Sequence, residues 1–284
     1  MPGDQLTGVR LKIARIALQL LETPIDKRTP DVRVYLYLSE RDAIAYLDTS
    51  GEPLFKRGYR RDTDEAPLRE NLAAGLLALA RWKPGTTLLD PMCGSGTIVV
   101  EAAMIAADRA PGLKRTFGFQ KLSWYDGPAW QRLRQKAVDR FRVSSENVMI
   151  FGSDIDAAAI AKSASNLDAA QVKHFVSLER ADVLTRAAPA SSGILLTNAP
   201  YGVRLSDQQK LAALYPPLGD ALKRRFTGWT AYLFSGDMRL AKLVGLKVVK
   251  RTPLFNGALE CRLFEIPLVA GSARERTMLK STTR

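Results

Sequence analysis

The feature that most constrains the fold is a regular alternation of short apolar runs and amphipathic helical stretches from residue 86 onward. Such alternation builds a parallel sheet with helices on its faces. Two later runs lie close together and predict a closing antiparallel hairpin. The sequence therefore predicts an α/β sheet of seven mostly parallel strands. The runs are TTLL (86–89), VMIFG (148–152), VSLE (176–179), GILLTN (193–198), TAYLFS (230–235), LKVVKR (246–251) and LECRLFEI (259–266).

The first sixty residues have a different pattern. LKIARIALQLLE (11–22) has helical apolar spacing, and VRVYLYL (32–38) alternates like a strand before a second strand, AIAYLD (43–48). One helix and two strands bury too little for an independent domain. We therefore expect residues 1–60 to be part of a module, residues 61–270 to form the α/β domain, and residues 271–284 to be a loose basic tail.

The composition favours a polyanionic partner. The chain has 284 residues, with 42 Lys and Arg against 29 Asp and Glu, a net charge of +13. The basic residues recur along the whole chain, which favours nucleic acid over a basic protein that is merely soluble. Two cysteines and one histidine exclude an ordinary zinc cluster and indicate a reducing compartment. No signal or membrane-length apolar run is seen, so we expect a soluble, cytoplasmic protein without metal or membrane.

An insertion at residues 110–147 interrupts the first crossover of the sheet. Insertions after the carboxyl ends of parallel strands lie at the ligand-binding edge. This one mixes basic residues with aromatic ones, a composition suited to phosphates and unstacked bases. An amphipathic helix packed on the sheet, with a solvated charged face, explains most of these charges equally well. The aromatic residues are Phe119, Trp124, Tyr125 and Trp130.

The stretch LLDPMCGSGTIVV (88–100) predicts a ligand-binding turn between the first strand and its helix. A P-loop needs lysine after the last glycine, but Thr97 follows Gly96. A dinucleotide turn needs a small residue where Val99 stands. What remains is Asp90 before the glycines, and a carboxylate there suits a ligand with a cationic end. S-adenosylmethionine, with its ammonium and sulfonium groups, fits this description.

Acidic residues also follow the next two strands. Asp154 is placed to accept hydrogen bonds from the ribose hydroxyls, and Asp182 to accept one from an adenine amino group. Each is also a candidate helix N-cap, which is the favoured interpretation of Asp156. Three acids at three successive strand ends predict a nucleoside with a charged tail. The predicted cofactor-binding residues are Asp90, Pro91, Met92, Cys93, Gly94, Ser95, Gly96, Thr97, Asp154, Ile155, Asp156, Asp182, Val183 and Asn198.

The fourth strand ends in LLTNAPYGVRL (195–205), which is similar to the Asn-Pro-Pro-Tyr or Asp-Pro-Pro-Tyr signature of amino-methyltransferases. Together with LLDPMCGSGTIVVEAAMIAADRAPGL, FGSDID and LFNGALECRLFEI, it resembles the bacterial large-subunit ribosomal RNA guanine-N2 methyltransferases. The likeness runs from about Asp31 over nearly the whole remaining chain. VRVYLYL through FKRGYR resembles the end of the THUMP RNA-binding module that precedes the catalytic domain in that family.

The resemblance implies a Rossmann-like class I methyltransferase domain preceded by a partial THUMP segment. It also implies S-adenosylmethionine as cofactor, ribosomal RNA as partner, and methylation of the exocyclic N2 of a guanine. The catalytic residues it implies are Asn198, Ala199, Pro200 and Tyr201. In the family, the asparagine side chain and the next carbonyl receive the target amino group, while the aromatic ring stacks on the base. Ala199 replaces the first proline of the signature, and we expect a looser turn rather than lost chemistry.

Three alternatives remain open on the sequence. The same corner suits other amines: a tRNA guanine, adenine N6 in DNA or RNA, or a protein glutamine. The chain also fits an RNA-binding assembly factor with a degenerate methyltransferase fold. Arg204 suits either a phosphate or a surface salt bridge.

Cys93 has no histidine placed to activate it, so we interpret it as a packing residue. We interpret His174 as structural.

Overall fold

The computed structural model describes residues 26, 28–39, 42–60, 68–142, 149–201 and 205–270, with side chains in the last range from 211. The predicted helix at 11–22, Arg204 and the tail lie outside these residues. The chain divides into two compact units. Unit 1 comprises Met1–Lys56 and Lys114–Lys136, and unit 2 comprises Arg57–Leu113 and Ala137–Arg284.

The described residues form nine strands and six α-helices, together with two short 3-10 helices. The strands are β1 (Arg33–Leu38), β2 (Ala43–Asp48), β3 (Leu88–Asp90), β4 (Ile150–Asp154), β5 (Val176–Arg180), β6 (Ile194–Asn198), β7 (Thr230–Ser235), β8 (Lys250–Asn256) and β9 (Leu259–Pro267). The helices are α1 (Glu70–Leu79), α2 (Thr97–Ala106), α3 (Gly127–Asp139), α4 (Ala157–Ala170), α5 (Leu205–Arg225) and α6 (Leu240–Leu243). The 3-10 helices are Gly118–Lys121 and Lys173–Phe175.

Unit 2 contains a seven-stranded sheet in the order β5-β4-β3-β6-β7-β9-β8. The first five strands run parallel, while β9 is antiparallel to both β7 and β8. This confirms the predicted α/β class and the closing hairpin. The strand order reverses at β3, because the chain continues to β4 on one side and returns to β6 on the other. Ligands bind at such a switch point, beyond the carboxyl ends of the strands.

The central strand β3 is buried on both faces. Successive side chains of a strand point to opposite faces. Leu88 accordingly packs into an apolar cluster with Leu76 of α1 and Val99 of α2, whereas Leu89 packs into a second cluster with Leu222 of α5. The sheet is therefore the middle layer between two helical layers, and its central strands carry the turn and the corner described below.

Two elements differ from the sequence prediction. Leu68, Leu72, Leu76 and Leu79 recur at helical spacing in the sequence and predict one apolar face for α1. Leu79 is instead 37% exposed, whereas Ala73, Leu76 and Leu77 are buried. The strand predicted at 246–251 lies at Lys250–Asn256, because this stretch pairs with β9 although it contains Pro253. A proline is tolerated there since β8 is the edge strand and its outer side needs no donor.

The described part of unit 1 contains the β1–β2 hairpin and the 114–136 part of the insertion. The Phe119 N–H donates to the Thr49 carbonyl at 3.0 Å. The rings of Phe117 and Phe119 lie 5.5 and 5.0 Å from the Trp130 ring. Trp124 is 72% exposed. Of the four aromatic residues named for the insertion, Phe119 and Trp130 thus pack on other rings, Tyr125 is partly buried near Phe119, and Trp124 is exposed.

No helix in the described part of either unit combines the length and the apolarity needed to cross a bilayer.

Candidate active site

The turn between β3 and α2 is shaped by its two glycines. The Gly96 N–H donates to the Cys93 carbonyl at 2.8 Å, closing a tight turn. Gly94 and Gly96 have φ values of 54° and 82°, in the left-handed region that glycine adopts without steric cost. The Cys93 N–H donates to the Ser153 carbonyl of β4 at 2.9 Å. The turn is thereby attached to the neighbouring strand.

Side chains from β4 and α4 brace this turn. Asp154 Oδ2 accepts from the Gly94 N–H at 2.9 Å, and Ser163 Oγ donates to the Gly94 carbonyl at 2.7 Å. Asn166 Nδ2 donates to the Ser95 carbonyl at 2.9 Å. A Cβ added at Gly96 would lie 2.8 Å from Ser163 Oγ, whereas one added at Gly94 would meet no atom of the described residues within 4 Å. The turn is therefore tightly packed at Gly96 and open at Gly94.

Asp90 is a buried carboxyl at the end of β3. It is 2% exposed, and its Oδ1 accepts from Thr197 Oγ1 at 2.7 Å and from the Met92 N–H at 3.3 Å. Burial raises its pKa to about 7, the two hydrogen bonds oppose the rise, and the charge of Asp154 adds to it. A cation bound beside Asp90 would favour its ionised form. The contact of Asp90 with the positive end of a ligand stays a prediction.

The predicted residues beyond β4 and β5 occupy the expected strand ends. Asp154 Oδ1 accepts from the Asp156 N–H at 3.0 Å, so each of its oxygens holds one backbone donor and keeps further accepting capacity. Asp156 caps α4 by accepting from the Ala158 N–H at 2.9 Å, which confirms the N-cap interpretation. Asp182 Oδ1 accepts from the Leu184 N–H at 2.9 Å. Their contacts with a cofactor remain predictions.

The other predicted cofactor residues are divided between the core and the surface. Val183 is buried, and Ile155 is 63% exposed beside Asp154. Buried positions within the turn are Pro91, Cys93, Gly96 and Thr97, and partly buried ones are Met92, Gly94 and Ser95.

Cys93 is a packing residue rather than a nucleophile. Its thiol is buried, 3.7 Å from Ser163 Oγ. Burial, reinforced by the charge of Asp90, raises its pKa far above the ordinary range for a thiol. The thiolate needed for attack is therefore not available. His174 lies exposed in the short helix Lys173–Phe175.

The residues Asn198–Tyr201 form a corner at the end of β6. The Ala199 N–H donates to the Phe234 carbonyl of β7 at 2.8 Å, and the Pro200 carbonyl accepts from Tyr215 Oη at 2.6 Å. Ala199 is fully buried. A proline at this position has no N–H to donate. The alanine therefore provides a backbone bond to β7 that the usual residue of the signature cannot form.

Asn198 Oδ1 is the unusual atom of the corner. It is buried and has no hydrogen-bond partner among the described protein groups. Buried polar atoms in folded proteins are nearly always paired, so an unpaired acceptor indicates a site where a ligand can donate. The preceding residue, Thr197, bonds to Asp90, and this hydrogen bond links the corner to the cofactor turn.

Tyr201 is the last residue of the corner and is partly buried. Asn256 Nδ2 donates to its hydroxyl at 3.1 Å, and a Cβ added at Gly236 would lie 3.2 Å from its ring. Burial raises the pKa of Tyr201. Asn256 lies in the LFNGALE stretch that carried the family resemblance, although no role was predicted for it. Four other supporting residues had no local signal in the sequence: Ser163, Asn166, Thr197 and Tyr215.

Comparison with known proteins identifies the family. Residues 57–265 match the UPF0020 family, described as RMKL-like, methyltransferase domain. A relative from Shewanella baltica, named Ribosomal RNA large subunit methyltransferase K/L, is 43% identical over 235 residues, covering 81% of this chain and 33% of that protein. The chain thus spans about a third of the length of the curated relatives it matches.

Two solved structures share the fold and part of the sequence. SMU.472, solved in complex with SAH, is 29% identical with a TM-score of 0.77, over 90% of this chain and 68% of that one. A predicted N6-adenine-specific DNA methylase from Listeria monocytogenes is 31% identical with a TM-score of 0.75, over 83% and 60%. At the level of the family the SMU.472 complex confirms the predicted cofactor, since SAH is S-adenosylmethionine without its methyl group. The chain belongs to the UPF0020 family of RMKL-like methyltransferase domains.

Proposed function

We propose that this chain methylates the exocyclic N2 of a guanine in large-subunit ribosomal RNA, with S-adenosylmethionine as methyl donor. The observation that carries the proposal is the buried Asn198 Oδ1 at the switch point of the sheet, which has no partner within the described part of the chain. An acceptor in this position suits a target that presents N–H donors, such as an exocyclic amine. The relatives named Ribosomal RNA large subunit methyltransferase K/L support the choice of RNA.

The residues around the turn fit the proposed cofactor. Gly94 leaves open space where a Cβ would stand, so a ligand can approach the backbone there. The Asp90 carboxylate would pair with the ammonium end, while Asp154 and Asp182 retain accepting capacity for hydroxyl and amino groups. When bound, S-adenosylmethionine supplies an electrophilic methyl group on a sulfonium centre. No phosphate-binding lysine follows Gly96, which argues against a nucleotide triphosphate.

The corner would act by orienting the target amine. The lone pair of guanine N2 is delocalised into the ring, which makes this nitrogen a poor nucleophile. If Asn198 Oδ1 and the Ala199 carbonyl accept its two hydrogens, the lone pair is directed out of the base plane. The nitrogen needs no base beforehand, because its proton becomes acidic only as the new bond forms. Positioning of this kind can lower a barrier by about 7–11 kcal/mol.

Tyr201 would support the base itself. An exocyclic amine inside a helix is out of reach, so the target nucleotide must leave its stack before reaction. The Tyr201 ring lies two residues beyond Ala199 and is fixed at its hydroxyl by Asn256. Stacking against it would hold the base in the plane that the two acceptors require. The net charge of +13 would attract the RNA backbone, and binding should weaken steeply with added salt.

Adenine N6 is the second candidate target. The Listeria monocytogenes protein described as a predicted N6-adenine-specific DNA methylase, with a TM-score of 0.75, favours it. Both amines carry two hydrogens on a delocalised nitrogen, so the acceptors at Asn198 and Ala199 suit either one. The Asn-x-Pro-Tyr corner therefore does not separate them.

The identity of the modified nucleoside tests the proposal. The chain is incubated with methyl-labelled S-adenosylmethionine and, separately, unmodified large-subunit ribosomal RNA, tRNA, DNA and protein, and each product is digested and separated. We expect label in N2-methylguanosine from ribosomal RNA. Label in N6-methyladenine would support the second candidate instead. No label with any substrate, despite cofactor binding, would favour a binding factor and contradict the proposal.

A further inference from the structure

The hydroxyl of Tyr201 is held by a residue of the β8–β9 hairpin. Asn256 Nδ2 donates to Tyr201 Oη at 3.1 Å. Since the amide N–H donates to the phenolic oxygen, this bond fixes the end of the ring that lies farthest from the backbone.

The hairpin keeps the Asn256 side chain in place. Asn256 is the last residue of β8 and pairs with Leu259, while Leu254 pairs with Cys261. Cys261 is fully buried, and Leu254 packs against the same apolar cluster. Side chains alternate along each strand, so Leu254 and Asn256 lie on one face of β8. The buried neighbours fix that face, and Asn256 is thereby directed to Tyr201.

We propose that Asn256 is a positioning residue, which sets the orientation of the Tyr201 ring for the target base. The proposal rests on the function proposed above. Asn256 contacts neither the reacting amine nor the methyl donor in this arrangement; it acts through Tyr201. The hairpin tip thus serves the catalytic corner, and its asparagine links the antiparallel end of the sheet to the switch point.

A double-mutant cycle with Asn256→Ala and Tyr201→Phe tests this role. A net hydrogen bond contributes about 0.5–1.5 kcal/mol, so we expect each single variant to lower kcat roughly 2- to 13-fold. The double variant should lose no more than either single one, because both remove the same bond. The affinity for cofactor should not change. Asn71→Ala, an exposed asparagine on α1, serves as the matched control.

A second measurement follows the Tyr201 hydroxyl without any turnover. In protein labelled with ¹³C at tyrosine Cζ, the Tyr201 resonance is assigned by its loss in Tyr201→Phe. The bond from Asn256 lowers the pKa of Tyr201, so Asn256→Ala should shift this resonance and raise the pKa further, whereas Asn71→Ala should do neither. An unmoved resonance would overturn the proposal. So would a cycle in which Asn256→Ala lowers kcat by the same factor in the Tyr201→Phe background as in the wild-type protein.

The two measurements separate this proposal from the proposed function. If the wild-type chain methylates no guanine, the proposed function fails, and the tyrosine resonance still decides whether Asn256 holds Tyr201.

Discussion

The cofactor turn and the Asn198–Tyr201 corner lie at the same edge of the sheet but differ in how their polar groups are paired. In the turn, the Gly94 N–H and carbonyl and the Ser95 carbonyl all bond to side chains of β4 or α4. In the corner, the backbone is bonded at Ala199 and Pro200, while the side-chain oxygen of Asn198 has no partner among the described groups.

This difference separates residues that stabilise the fold from the residue that we propose acts in the reaction. Groups that are paired within the protein stabilise the fold, and their removal leaves a buried partner unsatisfied. An unpaired buried acceptor stabilises nothing until a ligand donates to it. We therefore expect substitutions in the turn to lower the free energy of unfolding, and substitution of Asn198 to lower turnover alone. The predictions below follow this contrast from the largest expected effect to the smallest.

Replacing Asn198 with alanine should have the largest effect. Loss of one preorganised hydrogen-bonding group in an active site lowers kcat about 10²–10³-fold. Because Oδ1 has no partner among the residues that the structure describes, the melting temperature should be unchanged or slightly higher, and labelled S-adenosylmethionine should still bind. Methyl transfer, thermal unfolding and cofactor binding are measured on the same preparation, with Asn71→Ala as control. A variant that turns over at the wild-type rate but has a markedly lower melting temperature would contradict this expectation.

Replacing Gly96 with alanine should mainly destabilise the fold. An L-residue at φ 82° costs roughly 1–2 kcal/mol, and the new Cβ would in addition lie 2.8 Å from Ser163 Oγ. Gly94→Ala is the matched control, since it has a positive φ but nothing within 4 Å. Urea unfolding should show the larger loss for Gly96→Ala, and cofactor titration the specific defect for Gly94→Ala. Equal unfolding losses would exclude the close contact with Ser163.

Cofactor affinity should depend on pH through Asp90. Its pKa is raised to about 7, so the carboxyl is largely neutral at pH 6 and ionised at pH 8. A cationic ligand needs the ionised form, and the affinity should therefore be about tenfold higher at pH 8. Asp90→Asn should bind weakly at both pH values. A profile that stays steep in this variant would assign the dependence to another group.

The same carboxyl should affect stability in the opposite direction. A folded-state pKa raised above the ordinary value of 3.8 means that the folded protein binds this proton more tightly than the unfolded chain does. The stabilisation from this group is therefore fully present below about pH 4 and is lost as the pH rises through 7. In Asp90→Asn this part of the pH dependence of unfolding should be missing.

Restoring the signature proline at position 199 should have the smallest effect. Ala199→Pro removes the N–H bonded to the Phe234 carbonyl, and an unsatisfied buried group costs about 1–3 kcal/mol. Proline recovers about 0.4–1 kcal/mol by restricting the unfolded chain. We expect a net loss near 1 kcal/mol in urea unfolding. A gain in stability would show that the bond to β7 does not compensate for the missing proline.

The sequence predicted the parts of this site that depend on local pattern. The strand ends at Asp90, Asp154 and Asn198 follow from alternation and from residue type at the end of each apolar run. Bonds between distant residues were not predictable, because Ser163 reaches Gly94 across 69 positions and Asn256 reaches Tyr201 across 55. Such pairs depend on strand order and helix placement, which no local pattern specifies.

The same limit explains why the packing of the aromatic residues in the insertion was not predicted. Its aromatic residues suggested base stacking, yet Phe119 and Trp130 pack on one another within unit 1. The composition indicates residue types that can bind RNA. It does not indicate which of these rings pack within unit 1 and which are exposed. Trp124, at 72% exposure, was indistinguishable from them in the sequence.

The most direct test of the central claim is a crystal structure of the chain with S-adenosylhomocysteine and a short RNA that contains the target guanine. The account predicts that guanine N2 lies about 2.9 Å from Asn198 Oδ1, at hydrogen-bond distance. A complex in which Asn198 Oδ1 contacts only the cofactor, or in which the amine lies elsewhere along the sheet edge, would contradict it.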